Sequence, residues 1–379
     1  MAPASWGEPH NNKKGPHRLE FGGHLHEEPL MKSQTLKHGF YPLVLSMAMG
    51  LGIAQAASEM VVVGYGGAGQ KAQDVAFFQP FSVVDQSKVI QSEYNGEMAK
   101  IKVMVDTGNV DWDVVQIEGP DLMRGCEEGM YERLDWTRLG HADQLIPEAA
   151  QECGSAALVW SVAIAYDTDK LAQAPTSWAD FWDVQKIPGK RGLRKRAVYN
   201  LEFALLADGV NVEDVYKVLN TPQGVDRAFA KLNQLKPYIQ WWEAGAQPPQ
   251  WLTAGDVVMT STYSGRIAAA AQTGSHLGLV WPGSLYGMDY WAIIKGSKHV
   301  DQAKRFIAFA NQPDAQVNYV KQIPYGPTNT EAAARLDDKL AQWVPTAPQN
   351  LKGALSMDVG FWVDHGEELE ERFNAWASK

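Results

Sequence analysis

Apolar residues along this chain fall into two patterns. Some form short unbroken runs next to glycine or proline, and others recur every three or four positions. The run Met60-Val61-Val62-Val63 ends at Gly64-Tyr65-Gly66-Gly67, and a β-branched run bounded by glycines predicts a buried strand. A helical face follows, with Ala72, Val75, Phe78 and Phe81 on one side. Residues 114–117 predict a second buried strand, and 157–160 with 162–166 predict two more or one long one. Ser177, with Asp180 three residues on, predicts a helix from Trp178, because a short oxygen side chain accepts from the free N–H groups there. Further helices are predicted over 211–219, 223–235, 301–311, 328–340 and 366–378. Further strands are predicted over 257–262, 277–281 and 290–294. The alternation argues for α/β layers with mostly parallel sheets. No internal repeat or long polar linker divides the chain after residue 57. Two lobes joined by strands that cross back and forth fit that absence.

The first 56 residues read differently. Residues 1–30 are polar and aperiodic and predict no packed structure. Met31 is followed by Lys32, Lys37, an apolar stretch over 40–53 and Ala54-Gln55-Ala56. That is a basic region, a short apolar region and a small-residue cleavage site, so residues 31–56 predict a signal peptide cleaved after Ala56. A membrane anchor or a buried helix competes with this reading. The stretch holds a proline and two glycines and is shorter than the ~20 residues a spanning helix needs. Translation is expected from Met31, with residues 1–30 a disordered extension.

Length and charge then narrow the classes. At roughly 100–200 residues per domain, 379 residues suggest two domains. The net charge is −10 at pH 7. Residues 1–56 hold five Lys and Arg against four Glu, so their removal makes the chain more acidic still. A phosphate-rich partner such as nucleic acid is disfavoured. Only Cys126 and Cys153 occur. In an oxidising compartment two thiols are expected to pair. Two buried free thiols remain an alternative, and a metal pair is a poor one, since no His stands at ligand spacing.

Few motifs carry chemistry. Gly64-Tyr65-Gly66-Gly67-Ala68-Gly69 matches G-x-G-x-x-G, with Asp85 about 20 residues on. In an exported chain a tight strand-to-helix turn is preferred to a dinucleotide site, and its backbone N–H groups suit a small ligand. The cluster Lys186, Lys190, Arg191, Arg194, Lys195 and Arg196 is read as a solvated face. No G-x-S-x-G, H-E-x-x-H, Walker A loop or C-x-x-C occurs, and His141 is the only histidine between positions 39 and 275. No cofactor is expected and no enzyme is called for. Fourteen Trp supply core packing and material for a cleft wall.

Several segments together carry a resemblance. They are Thr176-Ser177-Trp178-Ala179-Asp180, Gly255-Asp256-Val257 through Ser264-Gly265, Met288-Asp289 with Ala292-Ile293, and Tyr325-Gly326-Pro327-Thr328-Asn329. In this order, over nearly all of residues 58–379, the chain resembles the spermidine/putrescine-binding, polyamine-type periplasmic solute receptors of ABC importers. The resemblance implies a two-lobed type II binding protein, each lobe a mostly parallel sheet flanked by helices, with a hinge of crossing strands. It places residues 57–165 and 288–334 in one lobe and 166–287 and 335–379 in the other. It implies a periplasmic monomer that delivers a small amine-bearing ligand to a membrane permease. By position, its contacts fall on Tyr65, Gly66 and Gly67, on Glu118, on Trp160 in the first crossing strand, and on Tyr263, Asp289 and Tyr325.

The departures from that pattern bear on the ligand. Where polyamine receptors carry acids at the end of the second lobe's first strand, this chain reads Arg196-Ala197-Val198-Tyr199. Three residues after Tyr263 stands Arg266 in place of a small polar residue, and a family Trp beside the key acid is Gly287. A polyamine needs carboxylates at both ends, and a cation facing its second ammonium is costly. Arg266 and Asp289 suit a zwitterion, in which the planar guanidinium grips a carboxylate and the carboxylate holds an ammonium. Ser-Gly-Arg and Met-Asp-Tyr-Trp resemble the γ-aminobutyrate-binding branch. The alternatives are a putrescine or spermidine receptor using Glu118, Glu202 or Glu243, a secreted enzyme with a carboxylate pair, and a sugar or metal-ion receptor.

Overall fold

The computed structural model describes residues 58–171 and 173–379. The expectations for residues 1–56 lie outside that range. Among the described residues nine strands form one sheet: β1 (Glu59–Gly64), β2 (Lys88–Glu93), β3 (Val114–Glu118), β4 (Gly154–Asp167), β5 (Arg191–Arg194), β6 (Ile239–Trp242), β7 (Met259–Tyr263), β8 (Leu277–Ile293) and β9 (Leu355–Ser356). The order is β2-β1-β3-β8-β4-β7-β5-β6, with β9 paired to β8. β2, β1 and β3 run parallel at one end, and β7, β5 and β6 run parallel at the other.

Between these groups lie the long strands β4 and β8. They pair with each other antiparallel from Gly154↔Ala292 to Asp167↔Leu277. β8 pairs antiparallel with β3 in the first group, and β4 pairs antiparallel with β7 in the second. Each lobe is therefore a mostly parallel sheet, and β4 and β8 are the crossing strands between them. The segments read as 157–160 and 162–166 are one strand, and those read as 277–281 and 290–294 are the ends of another.

Burial explains what was legible. β1 and β3 carry the apolar runs at residues 60–63 and 114–115 and are buried along most of their length, as parallel strands under helices must be. β2 is an edge strand with Lys88, Gln91 and Glu93 exposed and the rest half-buried, so it has no long apolar run. β5 reads Arg-Gly-Leu-Arg and is buried throughout. The expected solvated face is thus corrected at its centre. Arg191 is fully buried and donates to the Phe181, Gly189 and Ile187 carbonyls at 2.7, 2.7 and 2.5 Å. Burial pulls its pKa down to about 10.

Helices cover both groups. Ser177 caps Trp178–Trp182 as expected, accepting from Asp180 N–H. The helix after β1 runs from Gly67 to Asp85 but contains a π turn at Asp74–Phe78. The extra residue in that turn rotates the face, so Ala76, Phe77 and Phe78 point inward and Val75 is half exposed. The expected helix over 328–340 is two short ones, Thr330–Ala334 and Asp338–Ala341. The last helix, Val359–Ala377, starts earlier than expected because Asp358 caps it, accepting from Phe361 N–H. Cys126 and Cys153 form a disulfide with their Cα atoms 5.8 Å apart.

Candidate functional site

The candidate site lies where the two strand groups meet β4 and β8. Each of its side chains leaves the end of a strand. The loop after β1 brings Tyr65, Gly66 and Gly67. β7 ends in Tyr263, and the helix Ser264–Gln272 that follows carries Arg266. β8 carries Asp289, β4 carries Trp160 and β5 ends in Arg194. Tyr325 is placed by its neighbour Gly326, which exchanges two backbone hydrogen bonds of 2.8 Å with Val159 of β4. Tyr65, Gly66, Trp160, Arg194, Tyr263, Arg266, Asp289 and Tyr325 surround a narrow cavity of about 40 Å3. A water needs roughly 10–15 Å3 on this measure, so the space suits a ligand a few atoms across.

Gly66 and Gly67 both have φ near +60°, which favours glycine. A Cβ on Gly67 would stand 2.5 Å from Arg266 Nη1. Arg266 needs that space. Its side chain crosses to the first strand group, where Nη2 donates to the Tyr65 and Gly66 carbonyls at 3.2 and 3.3 Å. The residue is only 6% exposed, its Nε has no hydrogen-bond partner, and it makes no ion pair among the described residues. A buried guanidinium without an acid is a place for an anionic group of a ligand.

Asp289 is the opposite case. It is 5% exposed, Oδ2 accepts from Gln116 Nε2, and Oδ1 is buried with no hydrogen-bond partner among the described residues. Gln116 Oε1 in turn accepts from Gln73 Nε2 at 2.6 Å, so the carboxyl is held from behind. Burial raises its pKa to about 7, with the nearby Glu118 charge adding to the rise and the Gln116 hydrogen bond opposing it. Trp160 is fully buried beside it. A Cβ on Gly287 would stand 2.7 Å from the Trp160 ring, so glycine there makes room for the indole.

Tyr325 lies within electrostatic reach of both groups. Burial raises its hydroxyl to about 12, the Arg266 charge pulls it down and the Asp289 charge pushes it up. Tyr319 stacks on Tyr325 with centroids 6.4 Å apart, and Tyr65 stacks on Tyr94 at 5.1 Å. Trp160 meets Tyr263 and Tyr199 edge to face at 5.9 and 5.5 Å. The walls between the two charges are therefore aromatic.

Glu118 stands one layer further out. It lines a neighbouring cavity with Arg196, Asp121 and Glu370. Its Oε1 accepts from Arg194 Nη1 at 2.8 Å and from the Tyr263 hydroxyl at 2.9 Å. Burial pushes its carboxyl up, but the Arg194 and Arg196 charges and these hydrogen bonds outweigh it and hold the pKa at about 2. Arg194, Gln116, Gln73 and Tyr199 were not found from the sequence. Tyr199 is fully buried at φ +78°, an uncommon backbone state for a non-glycine residue. Its hydroxyl accepts from Arg194 at 3.0 Å. A charged run hid Arg194, and glutamines carry no sequence signal for such a relay.

The model of the bacterial extracellular solute-binding protein family matches residues 86–349. A γ-aminobutyric acid-binding protein of Pseudomonas aeruginosa is 59% identical over 327 residues, 86% of this chain and 93% of that protein. A spermidine/putrescine-binding periplasmic protein of Salmonella typhimurium is 28% identical over 308 residues, 76% and 84% of the two chains. A solved structure of a γ-aminobutyrate receptor superposes with a TM-score of 0.76 at 32% identity, covering 85% of this chain and 98% of that one.

Proposed function

The chain belongs to the bacterial extracellular solute-binding proteins, and from that premise we propose that it captures γ-aminobutyrate, or an ω-amino acid close to it. One observation carries the reading. A buried guanidinium without an acid, Arg266, and a buried carboxyl with an orphan oxygen, Asp289, face one narrow cavity with aromatic walls. Arg266 takes the ligand carboxylate, Asp289 takes the ammonium, and Tyr65, Tyr263, Tyr325 and Trp160 pack along the methylenes. Gly66 and Gly67 let the loop close over the carboxylate end, and Glu118 anchors Tyr263. The similarity to γ-aminobutyrate-binding relatives supports the same ligand.

Two of the three acids a polyamine could use are otherwise engaged, and the third stands at the cavity rim. Glu118 is paired with Arg194. Glu202 is buried elsewhere, accepting from Trp362 Nε1 at 2.8 Å and the Tyr216 hydroxyl at 2.9 Å. Glu243 sits at the rim, largely exposed, 3.4 Å from Lys195.

The action is reversible capture without chemistry. Residues 57–165 with 288–334, and 166–287 with 335–379, act as the two lobes. A ligand that touches both favours the closed state over the open one. The chain is exported by residues 31–56, works in the periplasm as a monomer, and hands its ligand to the permease of an ABC importer. Among the described residues no helix is long and apolar enough to cross a membrane.

Thermal melting with a ligand panel tests the proposal. γ-Aminobutyrate and 5-aminovalerate should raise Tm, since ligand at 100 times its Kd adds about 2.7 kcal/mol to the native state. Recovered ligand should be unchanged. A rise with spermidine or putrescine and none with amino acids, or conversion of the ligand, would reject the reading.

A further inference from the structure

We propose that Arg194 sets the preference of this cavity for ω-amino acids over diamines, by occupying the Glu118 oxygen that a second ammonium group would otherwise take. The inference rests on the ω-amino acid reading above and assigns its selectivity to a residue outside the Arg266–Asp289 pair. Glu118 and Asp289 lie opposite each other in register on β3 and β8. Two adjacent buried acids would suit a ligand with two cationic ends. Arg194 changes that balance. It comes from β5, in the other strand group, and its Nη1 donates to Glu118 Oε1 at 2.8 Å. Both side chains are 5% exposed, so the pair is almost fully desolvated.

Among the described residues the guanidinium is held through one nitrogen, whose two hydrogens are shared among three acceptors. The same Nη1 donates to the Tyr199 and Tyr263 hydroxyls at 3.0 and 2.7 Å. The aromatic faces of Tyr199, Trp242 and Tyr263 lie 5.3, 5.8 and 5.7 Å from its central carbon. Arg194 lines the cavity, whereas the acid it covers does not. The other Glu118 oxygen is held separately, with Arg196 Nη1 at 3.8 Å and Arg196 itself tied to Glu370 at 3.1 Å. Removing Arg194 therefore leaves Oε1 with only the neutral Tyr263 hydroxyl, while Arg196 keeps Oε2. A diamine that enters with one end on Asp289 meets the Arg194 guanidinium where an acid would have accepted its other end. Arg194 is a positioning residue, because it acts through Glu118.

Calorimetry of the purified protein and its variants tests this. In Arg194→Met, putrescine affinity should rise at least tenfold and γ-aminobutyrate affinity should fall. The pH dependence of γ-aminobutyrate binding should also move upward, because a Glu118 charge compensated only by Arg196 makes Asp289 harder to ionise. Arg194→Lys should keep putrescine out, and adding Glu118→Gln to Arg194→Met should abolish the gain. A folded Arg194→Met protein that gains nothing for putrescine overturns the inference. Should that variant not fold, Glu118→Gln alone reads the same pair: the freed Arg194 should raise affinity for glutarate at least tenfold, and no gain overturns the inference. Failure of the unaltered protein to bind γ-aminobutyrate overturns the underlying reading instead, before any variant is made.

Discussion

Glu118 and Asp289 stand directly opposite one another on neighbouring antiparallel strands, and among the described residues only one of them has a cation of its own. Glu118 is paired with Arg194 and stays ionised down to about pH 2. Asp289 feels burial and the Glu118 charge, and its carboxyl ionises only near pH 7. Like charges side by side do not both ionise easily, so the pair divides into a fixed charge and a titrating one. The titrating member is the one with an oxygen that no described residue bonds.

Ligand binding should therefore release protons. An ammonium group favours the ionised form of Asp289, so affinity should fall about tenfold per pH unit well below pH 7 and level off above pH 8. Titration calorimetry in buffers of different ionisation enthalpy should show close to one proton released at pH 6 and almost none at pH 8.5. A pH-independent affinity between 5.5 and 8.5 would remove Asp289 from the ligand's ammonium.

The unliganded protein should carry the opposite sign in its stability. The Asp289 pKa is raised above its unfolded value near 3.8, so this group destabilises the native state above pH 7 and the penalty is relieved as pH falls from 7 toward 4. Glu202, raised to about 7 by burial, acts in the same direction. Glu118 is lowered to about 2, so its stabilisation is present above 4.5 and lost as pH falls through 2. Asp289→Asn should therefore raise the unliganded Tm at pH 8 while weakening every amine ligand. An unchanged affinity in that variant would place Asp289 outside the site.

Arg266→Ala should weaken γ-aminobutyrate about 10- to 100-fold, the usual worth of hydrogen bonds to a charged group, and affect putrescine far less. Calorimetry with both ligands checks this. Equal small losses for the two would mean that Arg266 does not meet a carboxylate.

Gly287→Ala should disturb the Trp160 indole, since the new Cβ would come within 2.7 Å of it. Overpacking of this kind costs typically 1–3 kcal/mol. A lowered Tm with weaker ligand binding is expected, and an unchanged melting curve would show that the indole gives way freely.

Much of this arrangement was legible in the sequence because it follows strand ends. Asp289 stood out by its position in the family pattern, and Arg266 by replacing a small polar residue three positions after Tyr263. The crossing strands were half visible: Pro282 and Gly283 interrupt the pattern of β8, although its backbone continues through them. Arg194 was hidden because its neighbours Lys190, Lys195 and Arg196 make the segment look solvated. Its burial depends on Glu118, 76 residues away, and on two tyrosine hydroxyls, and no local pattern encodes such a meeting. Of the expected helix face only Val75, inside the π turn, was misplaced; Ala72, Phe78 and Phe81 are buried as the pattern predicts.

The central claim is that Arg266 and Asp289 hold the two ends of one ligand. Calorimetric titration of the protein, freed of any ligand carried from the cell, with γ-aminobutyrate and with putrescine tests it most directly. Tight binding of the amino acid with little or no heat from putrescine is the predicted result. Tight binding of putrescine with none of the amino acid would contradict the claim, and would mean that the Arg266 guanidinium is turned away from the ligand.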